Sequence, residues 1–145
     1  MFKNILVPVD GSENAFEALK VAISLHNSLD AELYILSVYR EHRLWSASVS
    51  MVIPELTGST DDALRDYARE VAENSKKYAL EQGVEKVRSF YMGGGPARMI
   101  IKFSKEHDID LIVLGSRGMS DSEKYLLGSV SHKVTSLAEC PVLVV

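Results

Sequence analysis

Cysteine and tryptophan each occur once, as Cys140 and Trp45, and proline occurs four times in 145 residues. A single thiol excludes an intramolecular disulfide and any multi-cysteine metal site, and suits a reducing compartment. The four histidines, His26, His42, His107 and His132, are scattered and outline no metal cluster. Basic residues are in the minority: sixteen Lys and Arg against twenty Asp and Glu leave a net charge of −4. No positive field therefore draws the chain to nucleic acid or to an anionic membrane surface. Long apolar runs are also missing. The opening stretch MFKNILVPVDGSE is too short for a secretion signal and is interrupted by Pro8 and Asp10. Nothing approaches the ~20 apolar residues of a membrane-spanning helix. The expectation is a cytoplasmic protein with neither nucleic-acid nor membrane partners.

What remains is the balance of an ordinary globular domain, 46% hydrophobic and 25% charged, read as one domain over residues 1–145. Short β-branched runs alternate with segments of helical period. Strands are predicted at Asn4 to Val9, Ala31 to Val38, Val87 to Met92, Asp110 to Leu114 and from Pro141 to the last residue. Between them lie four helices. The first runs through Ala15, Leu19, Ala22, Ile23 and His26, with Ser12 as its cap. The second spans Thr60 to Gln82, with Leu64, Tyr67, Ala68, Val71, Ser75 and Tyr78 on one face and Gly83 as its stop. The third opens at Pro96 and ends near His107, and the fourth carries Leu127, Val130, Val134, Leu137 and Ala138. Tyr39 to Ser59 shows no period and reads as a connecting loop, with room for a short helix, whose Trp45, Val49, Met51, Val52 and Ile53 fold back onto the domain or form a lid or partner surface.

Strands alternating with helices imply an open, five-stranded parallel α/β sheet covered on both faces. Ligands of such sheets bind past the carboxyl ends of the strands. The unusual residues of this chain fall there: Asp10-Gly11-Ser12 after the first strand, Gly93-Gly94-Gly95 after the third and Gly115-Ser116-Arg117-Gly118 after the fourth. Gly128-Ser129 opens the last helix, where unpaired N–H groups and a partial positive charge can meet phosphate. Gly115 is followed after two residues by Gly118 and after nine more by Gly128-Ser129. Neither a P-loop nor the GxGxxG dinucleotide fingerprint occurs. The plainer reading of these glycines is turns, and of Asp10 a helix cap.

Together, VPVDGS, GSRG, LLGSVS and the ending CPVLVV resemble the universal stress protein family, over essentially the whole chain. The resemblance implies a Rossmann-like fold of the adenine nucleotide alpha-hydrolase type, with strand order 3-2-1-4-5. It also implies ATP (or AMP or ADP) as ligand, with Mg2+ or Mn2+, and a homodimer through the C-terminal strand. The family's glycine pattern falls on Gly115, Gly118, Gly128 and Ser129. By the same resemblance Asp10 contacts ribose and is the candidate metal contact, Val38 meets adenine through its backbone, and Pro8 and Val9 lie beside base and ribose. Gly115, Arg117 and Gly118 then form the phosphate loop, and Gly128, Ser129, Val130 and Ser131 its far wall. One departure is MSDSEKYLL between the second and third glycines, whose Asp121 and Glu123 are expected to face solvent. No nucleophile–base arrangement is evident. The expected function is thus a nucleotide-dependent stress-response module. The alternatives are a slow ATP hydrolase and an interaction protein of the same fold that holds no nucleotide. The last strand, apolar and uncharged from Pro141 to Val145, is expected at an exposed sheet edge. Cys140 is expected to be an inert packed thiol.

Overall fold

Ile5, Leu6 and Val7 are fully excluded from solvent, which places strand β1 (Asn4–Pro8) at the centre of the sheet with both of its faces covered. The computed structural model describes residues 1–41, 54–118 and 127–145. The elements that follow are α1 (Glu13–Leu29), β2 (Glu32–Tyr39), α2 (Pro54–Glu81), β3 (Val87–Gly93), α3 (Pro96–Glu106), β4 (Leu111–Leu114), α4 (Ser129–Leu137) and β5 (Val142–Val144). The strands form one parallel sheet in the order β3-β2-β1-β4-β5.

Alternation along the strands splits the core into two layers. Ile5, Val7, Leu33 and Ile35 face α1 and α2, against Ala18, Leu19, Ala22 and Ala79. Leu6, Tyr34, Leu36 and Ile112 face α3 and α4, against Ile100, Phe103 and Val134. Each fully buried branched side chain contributes on the order of 1.5–3 kcal/mol, so the sheet centre is the rigid part from which the strand ends project.

Every predicted strand and helix is present, several with shifted edges. α2 begins at Pro54, so the connection expected from Tyr39 to Ser59 is helical over residues 54–59. Thr57, Gly58 and Ser59 are poor helix formers, but Pro54 at the first position has its φ already set for a helix. The predicted lid residues Trp45, Val49, Met51, Val52 and Ile53 lie outside the described residues, as do Asp121 and Glu123. Asp110 precedes β4 rather than belonging to it. Its carboxylate accepts hydrogen bonds from the N–H groups of Lys3 at 2.8 Å and Asn4 at 3.0 Å, tying the entrance of β1 to that of β4. β5 is shorter than predicted, although the Pro141 carbonyl still accepts the N–H of Ile112 at 3.0 Å and the Val145 N–H donates to Leu114 at 2.9 Å, and it is an edge strand, as expected. Among the described residues no helix is long and apolar enough to cross a membrane.

Candidate functional site

Strand order reverses between β1 and its two neighbours, since β2 leads away on one side and β4 on the other. At that point, past the carboxyl ends of the strands, lies a cavity of about 380 Å³, within the usual range for a small-molecule site. It is built from residues far apart in the chain. Pro8, Val9 and Asp10 arrive on β1, Val38 with Tyr39 and Arg40 on β2, and Gly115, Arg117 and Gly118 after β4; Ser129, Val130 and Ser131 arrive on the first turn of α4. Ten of the eleven residues singled out from sequence thus line one space, and Gly128 does not. Along that wall Asp10 is the one acid, and Arg40 and Arg117 are the two bases, so among the described residues the lining favours an anion.

Each part has a local cause. Asp10 ends β1, and its Oδ1 accepts the N–H of Ser12 at 2.9 Å, a side-chain-closed turn of the kind aspartate favours. Gly11 follows with φ +88°, a left-handed value that glycine adopts without strain. Ser12, not Asp10, is the cap of α1: its hydroxyl accepts the N–H of Ala15 at 3.1 Å. The predicted cap is therefore correct, and Asp10 is left with the turn and the cavity.

In the loop from Gly115 to Gly118, Ser116 is an anchor to which the sequence reading gave no role. Its N–H donates to the carbonyl of Val145 at 2.9 Å, and its own carbonyl accepts the N–H of Gly128 and the hydroxyl of Ser131, each at 2.6 Å. The loop is thereby fastened to the end of the sheet on one side and to α4 on the other. Gly128 is the N-cap residue of α4, with its N–H spent on Ser116; it holds the helix rather than facing the cavity. Ordinary helical hydrogen bonding in α4 starts with His132 donating to Gly128 at 3.0 Å. The N–H groups of Ser129, Val130 and Ser131 therefore have no acceptor within the helix, and these are the residues at the cavity. Gly115 has a packing cause: an added Cβ would lie 2.8 Å from the backbone C and O of Asn14 and 2.9 Å from its Cβ. The glycine lets the first turn of α1 press against the end of β4.

Apart from Ser37, Tyr39 and Arg40, the β2 side of the cavity is apolar. Leu36, Val38 and Ile100 meet Pro8 there, and Leu64, Tyr67 and Ala68 of α2 close the side. Leu64, Tyr67 and Ala68 share the predicted buried face of α2, and no local signal in the sequence separates a residue under the sheet from one at its end. Gly93, Gly94 and Gly95 do not line the cavity, although Pro96, which follows them, does; the N–H of Gly94 instead donates to the carbonyl of Tyr39 at 3.0 Å. A second, more open groove of about 950 Å³ lies between α1 and α2. It shares Val9, Ala15, Tyr67 and Arg117 with the first.

Elsewhere, His132 is exposed and Cys140 half-buried, and burial pushes the Cys140 thiol up, with Asp110 adding to the shift. A raised thiol is the less reactive kind. Among the described residues no three His, Cys, Asp or Glu are grouped to hold a metal ion.

The fold defines a parallel α/β protein with a cavity at its topological switch point. Over residues 1–145 the chain matches the universal stress protein family, and it belongs to that family. It is 39% identical over 148 residues to universal stress protein YxiE of Bacillus subtilis, covering 100% of this chain and 99% of the relative. Among solved structures, MJ0577 of Methanocaldococcus jannaschii superposes with a TM-score of 0.84 at 32% identity, over 100% of this chain and 96% of the other. A universal stress protein from Archaeoglobus fulgidus, solved in complex with dAMP, shares the fold with a TM-score of 0.73 at 20% identity, over 99% and 97% of the two chains.

Proposed function

We propose that this universal stress protein binds an adenine nucleotide, ATP or its di- or monophosphate, in the 380 Å³ cavity, and works as a nucleotide-dependent stress-response module. One observation carries the reading: a single space has apolar residues of β1 and β2 on one side and the first turn of α4 with Arg117 on the other, and Asp10 as its one carboxylate among the described residues. The base takes the apolar side, beside Pro8, Val9 and Val38. The phosphates take the end formed by Gly115, Arg117, Gly118 and the first turn of α4, where backbone N–H groups and the helix dipole favour negative charge. Asp10 accepts hydroxyl groups of the sugar. It also fits the habit of Mg2+ or Mn2+, which bind through one carboxylate together with substrate phosphates. The dAMP held by the Archaeoglobus relative supports the ligand class.

No histidine or glutamate lines the cavity among the described residues to serve as a base, so we read the protein as a binder rather than an efficient hydrolase. β5, an edge strand with Leu143 exposed, is the surface we assign to a homodimer, with the cytoplasm as its compartment. A second reading, an interaction protein without nucleotide, is favoured by the structural uses of Gly115 and Gly128. The deciding experiment is purification without added nucleotide, denaturation, and chromatography of the supernatant, followed by calorimetric titration with ATP. Adenine nucleotide in the supernatant, or saturable binding on titration, is the expected result; neither one overturns the proposal.

A further inference from the structure

Tyr67 is an α2 residue whose side chain is half exposed at the mouth of the cavity. It lines both the nucleotide cavity and the larger groove between α1 and α2, and so stands where the two meet. Its hydroxyl is placed over Gly11: a Cβ at that position would collide with the Tyr67 Oη, lie 3.3 Å from Cζ and meet Val71 Cγ2 at 3.4 Å. Gly11 is therefore constrained twice, by its left-handed backbone and by the phenol above it. Among the described residues the Tyr67 hydroxyl has no hydrogen-bond partner. Two polar groups thus belong to one dipeptide's surroundings: the Asp10 carboxylate, with Oδ1 held by Ser12, and the Tyr67 hydroxyl over Gly11.

Their chemistry is complementary. A carboxylate repels phosphate and only accepts hydrogen bonds, whereas a phenol both donates and accepts. Two neighbouring hydroxyls on one ligand are the natural match, one donating to Asp10 and the other meeting Tyr67. We infer that Tyr67 is a specificity-determining residue that reads one of the two ribose hydroxyls, making the site selective for ribonucleotides over deoxyribonucleotides. The inference rests on the nucleotide reading above and adds to it the sugar class and the residue that selects it. The same phenol, with Val9, Ala15 and Arg117, is shared by the cavity and the α1–α2 groove, so a sugar read by Tyr67 lies on the side of the ligand nearest that groove.

The experiment is calorimetric titration of the parent chain and of Tyr67→Phe with ATP, 2′-deoxyATP and 3′-deoxyATP, with circular dichroism to show that both fold alike. A hydrogen bond to a neutral hydroxyl corresponds to roughly a two- to tenfold change in affinity. The parent is expected to bind ATP about fivefold more tightly than one of the two deoxy analogues. Tyr67→Phe is expected to lose that factor for ATP while binding the same analogue as the parent does, so the two changes are not additive. Equal affinity of the parent for all three nucleotides, or full discrimination surviving in Tyr67→Phe, overturns the assignment while leaving nucleotide binding in place. A parent chain that binds none of the three overturns the nucleotide reading and this one with it.

Discussion

Gly115→Ala separates the two explanations of the glycine loop. Gly115 is not among the glycines with positive φ, so alanine is compatible with the backbone there and the perturbation is one of space alone. The new methyl would lie 2.8 Å from the carbonyl carbon and oxygen of Asn14, against an optimal carbon–carbon separation of about 3.5–4.0 Å. The obstacle is backbone in the first turn of α1, which cannot rotate aside as a side chain would. Relief requires α1 to shift by several tenths of an ångström, against the Ser12 cap and the contacts of Ala15 and Ala18. Inserting a methylene-sized group into a well-packed region costs about 1–3 kcal/mol. For a chain of this size, 2 kcal/mol corresponds to a fall in Tm of roughly 4–8 °C. The measurement is urea and thermal unfolding of nucleotide-free protein, because bound ligand would add its own stabilisation. A Gly115→Ala protein with unchanged Tm that fails to bind ATP would refute the packing argument and assign the glycine to the ligand alone.

Asp10→Asn keeps a side-chain oxygen for the Ser12 N–H, so Tm should stay within a few degrees while affinity for Mg-ATP falls; unchanged affinity by calorimetry, with metal and with EDTA, would remove Asp10 from the site. Asp110→Ala deletes two hydrogen bonds from a carboxylate to the start of β1 and should cost about 1.5–3 kcal/mol in urea unfolding, with nucleotide binding unaffected because the pair lies at the opposite end of the strands. Burial first, and then Glu41, push the Tyr39 phenol above its ordinary value. The neutral form is the one the fold favours, so its stabilisation is complete below pH ~10 and is lost as pH rises through the higher folded value. Tyr39→Phe should therefore flatten the decline of Tm above about pH 10, and an unchanged decline would assign it to other groups.

The architecture was legible in the order of short apolar runs and helical periods, because a parallel sheet buried on both faces needs continuous strands such as ILV in β1. The continuity of α2 from Pro54 was not legible: a short helix had room in the connection, but Pro54 opens one that runs on through residues whose own propensity argues against it. The site was legible only in part. Asp10, Arg117 and the first turn of α4 follow strands or open a helix, and such positions carry a chemical reason for lying near a ligand. Leu64, Tyr67 and Ala68 carry no such reason, because one helical face serves both the core and the cavity wall and only the crossing of α2 over the strand ends divides them.

The sequence by itself determined the fold class, the family and the strand ends at which a ligand can bind, because these follow from periodicity and from short motifs that act locally. The roles of individual glycines were decided by tertiary structure. Gly115 yields room to Asn14, Gly128 turns its N–H to Ser116, and Gly11 lies beneath Tyr67. In each case the partner comes from another element of the fold, and local spacing carries no information about which atoms will arrive there or from which side.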